Sequence, residues 1–530
     1  MQKVRKPMKK ILYFLLLLAL FLALPVMAAA EGEEEVDESN PYGIFVGGVA
    51  VTKDNASDIL GDGTAFYTAQ NDTLTLRRYH SEQFYTQKGV LYSVYCSGKT
   101  NIVIEGKNNR FPQGIYTEKG NITLKGADVT FGNSAFLMLH APAGTLSLSD
   151  SQLVLGDLSF VQSDSYCVTA KEIIVQKSEI GLDTDTPTTT YCNSILYGSS
   201  AIAAEKSSFY FSLPYPIAAS MFLGGDMLFE NCEIYLCRGN YGFHTQWGAV
   251  QFSNCDVVVE ETRSFSSSPD FIAIDTTIEA TLFYQGIHAV GSTDGEGFVA
   301  VSSKLVLKML PFEDIESTIM RSIWNNMDAS ERVEFGQSYD AFIATFKNTT
   351  YKTATEGNAG IAVTGGGCYL HKTKMQINGF DAGILGLYGI PLEIDTRCDL
   401  RLSAKRVAFL WFAYSYEGVS IGSNRLTGTL ITYTDVPESM QNAGAIAVCS
   451  SDERPTFKAG AEVETTADIL NRIEGTATDI RIRTAPYTGS IIIVSVIVTA
   501  VALAFIFACV MIFLPSLRMS KSPKGNSKKK

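Results

Sequence analysis

Three aspartates stand four residues apart in a turn-rich stretch: Asp54, Asp58 and Asp62. Calcium takes about six to eight oxygens, often from such carboxylates and from backbone carbonyls. The spacing differs from that of an EF-hand loop, and Asp62-Gly63 is a common turn pair. Turn formation is therefore the stronger reading, with Ca2+ as the cofactor alternative. A second group is Tyr241, His244 and Trp247. On a strand, Tyr241, Phe243, Thr245 and Trp247 share one side, and Gly242, His244 and Gln246 the other. An outward Trp247 can stack on a sugar ring; an inward one is core, the commoner fate of so large an apolar ring.

Cleaving a polysaccharide takes more. Hydrolysis needs paired acids at a set separation, one to protonate the leaving group and one to activate water. NTD and DD motifs would supply such acids, and neither these nor the GHG and RIK motifs that would accompany them occur. Arg481-Ile482-Arg483 is similar to the last of these, but it lies close to the apolar segment near the C-terminus. Lyase chemistry would need a basic residue over bound calcium, and no RxPxxR stretch occurs. The five histidines are far apart in the chain. The ten cysteines form no CxxC and no Cys/His cluster, which argues against zinc. No catalytic residue is assigned.

The elements that must position such groups come from a repeat. One ten-residue pattern occurs six times: apolar, x, apolar, x, x, small, polar, apolar, x, apolar. The copies are 122–131, 146–155, 173–182, 202–211, 227–236 and 250–259, with starts 24, 27, 29, 25 and 23 residues apart. Repetition in this range marks a repeat architecture. Positions one and three alternate as on a strand, but positions six, eight and ten have the opposite parity. A strand has period two, so the chain must bend between positions four and six. Position six is Ala127, Ser151, Ser178, Ser207, Cys232 or Cys255, each small enough for the inside of a corner. A further apolar stretch precedes each next copy, for example Tyr166–Thr169, Ile195–Tyr197 and Tyr241–Trp247. Strand, corner, strand and third stretch make one coil of a parallel β-helix, stacked about 4.8 Å from the next. Cys232 and Cys255 then become neighbours; the cysteines are expected mainly as buried thiols, with a disulfide between these two as the alternative.

The segment Tyr42–Arg78 carries a hairpin signal at Gly47-Gly48, and is followed by coils such as Gly120-Asn121-Ile122-Thr123-Leu124-Lys125-Gly126. These stretches resemble the opening of secreted bacterial β-helix repeat proteins. Many of those are classed as carbohydrate-binding-domain proteins of the pectate-lyase-like superfamily. The resemblance covers residues 42–260 well and 290–450 loosely. It implies a right-handed helix, a cell-surface setting and, more weakly, glycan binding.

The fold class is thus all-β: a single-stranded right-handed parallel β-helix of roughly ten coils, with one C-terminal transmembrane α-helix. Residues 1–30 read as a signal peptide, with a basic start, an apolar run and Ala28-Ala29-Ala30. An acidic lead-in (31–41), an N-terminal cap (42–80) and coils (81–310) follow. Residues 311–355 form an insertion with helical spacing over Phe312–Met327. The coils become irregular after Val259: Val299–Leu307 is a copy one residue short, ahead of the insertion, and the further irregular coils (356–450) include Cys368–Ile377 and Leu392–Leu402 (one residue long). In the earliest coil, Ile102–Phe111, Asn109 stands where an apolar residue is expected. Residues 451–489 are a cap or stalk, 490–514 a transmembrane helix and 515–530 a basic tail. Ile491–Leu514 has no charge over 24 residues, enough to span a bilayer. Basic residues beyond it place that end in the cytoplasm and the body outside.

The net charge of −12 hides an asymmetry. The first 30 residues carry five basic side chains and the last 16 carry six, with no acids, so the stretch between them carries −23. Such a body argues against nucleic acid as a partner. The expected partners are the membrane and a polysaccharide or cell-wall glycan. The leading expectation is a membrane-anchored, extracellular, non-catalytic surface protein in glycan binding or adhesion. A β-helix lyase or hydrolase and a structural envelope spacer are the alternatives.

Overall fold

Every copy of the ten-residue pattern lands in register with the next. In a computed structural model of the chain, Ile122 pairs in parallel with Leu146, Leu146 with Ile173, Ile173 with Ile202, Ile202 with Met227 and Met227 with Val250. The ladder extends upstream to Ile102 and Leu74, and downstream through Phe271, Phe298 and Cys368 to Leu392. The structure describes residues 40–132, 137–156, 166–183, 193–213, 220–291, 295–311 and 358–413, parts of 320–346, and strands between 419 and 484. From Tyr42 onward these form an all-β parallel solenoid of about 11 turns.

Each turn has three faces. The first is the ladder just described. The second holds positions eight and ten: Val129, Leu153, Ile180, Phe209, Ile234, Val257 and Ile278 pair in sequence. The third is built from the apolar stretches between copies, with Ile115, Leu139, Val168, Leu196, Phe222 and Phe243 in one row. Residues at these three rows are buried in one continuous core. Phenylalanines stack within it at the coil spacing, Phe222 on Phe243 at 5.1 Å and Phe229 on Phe252 at 5.3 Å.

The parity switch has a physical cause at position five. There the backbone is left-handed in coil after coil: Gly126 (φ 54), Asp150 (φ 48), Lys177 (φ 46), Lys206 (φ 50), Asn231 (φ 54), Asn254 (φ 53) and Asp275 (φ 49). One such residue turns the chain and flips the side on which the next residue points. Non-glycine residues resist this conformation, so the corner must be held from outside. The small residues at position six hold it. Ser178 Oγ accepts from the Ser151 N–H (3.0 Å) and donates to the Gln176 carbonyl (2.7 Å). Ser151, Ser303 and Thr276 do the same one coil along the stack. Cys232 and Cys255 take this role with thiols: the Cys232 N–H points at Cys255 Sγ (3.4 Å), and each thiol donates to the carbonyl two residues back, at 3.3 Å.

Several expectations change. The copy expected at Val299 starts at Phe298, which pairs with Phe271 and Cys368, so it is full length. A further copy at Phe271–Ala280 escapes sequence reading because Ala273 and Ala280 occupy its apolar positions. Asn109 is buried at an apolar position, yet it is satisfied: it accepts from the Tyr79 N–H and its amide reaches the carbonyls of Glu105, Gly106 and Asp128.

Both ends of the stack are closed by antiparallel strands. Ile44–Val46 turns at Gly47-Gly48 into Val49–Ala50, and also runs antiparallel along Val90–Cys96. At the other end Asp479–Thr484 runs antiparallel to Asp399–Ser403, with Arg481 forked onto Asp399 at 2.9 and 2.8 Å. Arg481-Ile482-Arg483 therefore lies in a strand that caps Asp399–Ser403. In the insertion the described helix is Tyr339–Phe346, whose Tyr339 and Phe342 pack on Trp324. The helix expected over Phe312–Met327 lies mostly outside the described residues.

Candidate functional site

The outward row of the third face collects rings. Strand pairing places Tyr95, Tyr116, His140, Thr169, Tyr197, Leu223, His244, Ser267 and His288 one above another. Six of these nine carry a ring, and all six are half-buried. Tyr95 stacks on Tyr116 at 5.2 Å with planes 10° apart, and Tyr166 on Tyr197 at 4.2 Å. Beyond the first coil the run continues through Tyr85 to Phe45, whose rings lie 3.8 Å apart. Histidines that stand far apart in the chain thus share a row, three of the five. Sequence separation hides this, because a coil of variable length puts no fixed spacing between row members. Rings backed by a rigid sheet, with hydroxyls and imidazole nitrogens at their edges, offer apolar faces and directed polar tips together.

Tyr241 and His244 meet at the edge of this row, ring centroids 4.8 Å apart. Trp247 does not follow the alternation expected of it. The strand ends at Thr245, whose hydroxyl oxygen accepts from the N–H groups of Trp247 (3.3 Å) and Gly248 (3.0 Å). That turn throws the indole outward, 86% exposed, while Phe243 and Thr245 are buried. Trp247 makes no ring contact with Tyr241 or His244 among the described residues. The three residues therefore form a pair and a separate outlying ring.

Two of the aspartates do turn chemistry. Asp58 accepts from the Gly63 N–H at 3.0 Å, and Asp62 accepts from the Thr64 N–H at 3.0 Å and its hydroxyl at 2.6 Å. Asp54 is exposed. Among the described residues no group of three or more His, Cys, Asp or Glu could hold a metal ion. The described cysteines are free and buried, Cys232 and Cys255 included, so no disulfide joins that pair. Burial pushes the Cys237 thiol up to about 11 and raises Cys96 and Cys368 too, which keeps these thiols protonated and unreactive.

Burial lowers the pKa of His140, His244 and His288 below the ordinary 6.5. A depressed folded value means the neutral form is favoured in the fold. The associated stability is present above pH 6.5 and lost as pH falls through the lowered values. We expect the thermal midpoint to drop as pH falls below 6.5 through the lowered histidine values. A triple His140→Gln, His244→Gln, His288→Gln chain should show a flatter profile over that interval. Equal slopes for the two chains in a differential scanning calorimetry series would refute this.

Among the described residues no helix is long and apolar enough to cross a membrane. Residues 1–30 and 490–514 lie outside the described residues. No family model, curated protein or solved structure matches this chain.

Proposed function

We propose that the protein is a membrane-anchored, extracellular, non-catalytic β-helix that binds glycan along its third face. The observation that carries this reading is the outward row of Tyr95, Tyr116, His140, Tyr197, His244 and His288. A linear polymer of amphipathic rings can lie along such a row, stacking its apolar faces and hydrogen-bonding at the edges. The charge of −23 between the basic ends favours neutral over acidic polysaccharide. The basic, apolar and small-residue start supports export, and the uncharged stretch Ile491–Leu514 followed by lysines supports a single-pass anchor with its tail in the cytoplasm. The coil is taken as right-handed, since parallel crossovers are right-handed in about 98% of cases.

Full-length protein in detergent, presented to an array of cell-wall and host glycans, tests the reading. Binding to a neutral glycan is expected, with a double Tyr116→Ala, Tyr197→Ala variant at least about tenfold weaker, the loss of about 1.4 kcal/mol. No retention of any glycan at millimolar concentration would overturn it.

A further inference from the structure

The second face carries a feature of its own. Its outward side is a grid of two rows. One row runs Gln152, Glu179, Ser208, Glu233; the other runs Val154, Gly181, Tyr210, Tyr235, each residue paired with the next. Tyr210 lies on Tyr235 with centroids 4.9 Å apart and planes 9° apart, so these rings lie nearly parallel at the coil spacing. One coil further along the same row stands Gly181, which contributes no side chain. Among the described residues, a Cβ built there meets nothing within 4 Å. Val154 follows on the next coil, 39% exposed, and Tyr210 is 46% exposed.

The row thus has a slot one coil deep, floored by the backbone at Gly181 and walled by an aromatic ring and an isopropyl group. Two coil spacings, about 9.6 Å, separate the walls, which admits one ring of van der Waals thickness. The neighbouring row gives the slot a hydrogen-bonding rim. Glu179 and Gln152 are exposed and bonded to each other at 3.2 Å, and Ser208 is half-exposed beside them. An aromatic side chain from another protein would use the walls and waste the rim. A pyranose ring uses both, because its C–H face is apolar and its edge carries hydroxyls. The carboxylate of Glu179 disfavours uronic acids and suits hydroxyl or ammonium donors.

We infer that the slot over Gly181, between Val154 and Tyr210, is a binding site for a single neutral or amino-sugar ring, separate from the third-face row. The inference rests on the glycan-binding reading and names a particular site and sugar class for it. Among the described residues the row at Gly181 has open space, and its backbone geometry is ordinary, so Gly181→Tyr should continue the tyrosine stack without disturbing the coil. Chitotetraose, cellotetraose and tetragalacturonate are the probes, titrated by calorimetry into the full-length chain. Chitotetraose or cellotetraose should bind and tetragalacturonate should not. Gly181→Tyr and Tyr210→Ser should each weaken binding at least about tenfold, with the thermal midpoint of Gly181→Tyr unchanged or raised. Unaltered affinity in both variants, with loss in Tyr116→Ala, Tyr197→Ala, would overturn this site while sparing the third-face reading. Equal or tighter binding of tetragalacturonate would overturn the sugar class, and no binding by the unmodified chain would overturn both.

Discussion

Ile180→Asp should abolish the cooperative fold of the central coils, seen as loss of the β signal in circular dichroism. Ile180 is 1% exposed and lies in the second-face row between Leu153 and Phe209, both buried. A carboxylate there has apolar neighbours along the stack. The substitution loses the transfer energy of the isoleucine and leaves either an unpaired buried charge or a protonated acid without partners. Together these cost upwards of about 4 kcal/mol. A domain is typically stable by only about 5–15 kcal/mol. In a repeat stack the damage does not stay local, because each coil is stabilised chiefly by its two neighbours. Ile180→Val is the control and should cost about 0.5–1.5 kcal/mol. Ile234→Asp, at 2% exposure two coils on, should behave like Ile180→Asp. A chain that melts normally with either aspartate would mean that the second-face row is not core.

The rows were legible in the sequence because the burial rule is simple: an apolar residue at a fixed place in a ten-residue frame. The corner was legible only by its consequence, the parity flip. Its cause, a left-handed residue at position five, is carried by Asp150, Lys177, Lys206 and Asn231 alike. No one residue type marks it, since the conformation is held by hydroxyls and thiols of adjacent coils. A copy with alanines, Phe271–Ala280, gave no signal of its own although it pairs as well as the others. Surface rows were the least legible. Which of the histidines share a row depends on loop lengths between coils, and the outward turn at Trp247 depends on one hydroxyl, that of Thr245. The slot at Gly181 is a property of three coils together and of no local stretch.

Loosening the C-terminal cap should convert the protein into a self-associating one. The parallel ladder of the second face ends at Asp399–Ser403, a strand that would otherwise offer unpaired N–H and C=O groups to any other chain. Asp479–Thr484 covers it and, being antiparallel, breaks the rule by which a further coil could add. Three contacts hold the cover. Ile482 is buried over Leu400. Arg481 donates both arms of its guanidinium to Asp399. Thr484 takes the corner position, accepting from the Cys398 N–H at 2.8 Å and donating to the Asp395 carbonyl. The Arg481 guanidinium holds the Asp399 carboxyl below its ordinary range, so this contact weakens only as pH falls through that lowered value. A double Arg481→Ala, Ile482→Asp chain loses the fork and puts a charge on the core, and the bare edge should then pair between copies. Light scattering after size exclusion should show concentration-dependent oligomers for this chain, with Arg483→Ala behaving as the unmodified protein. A monodisperse double variant with an unchanged melting profile would mean that the edge is protected by something other than this strand.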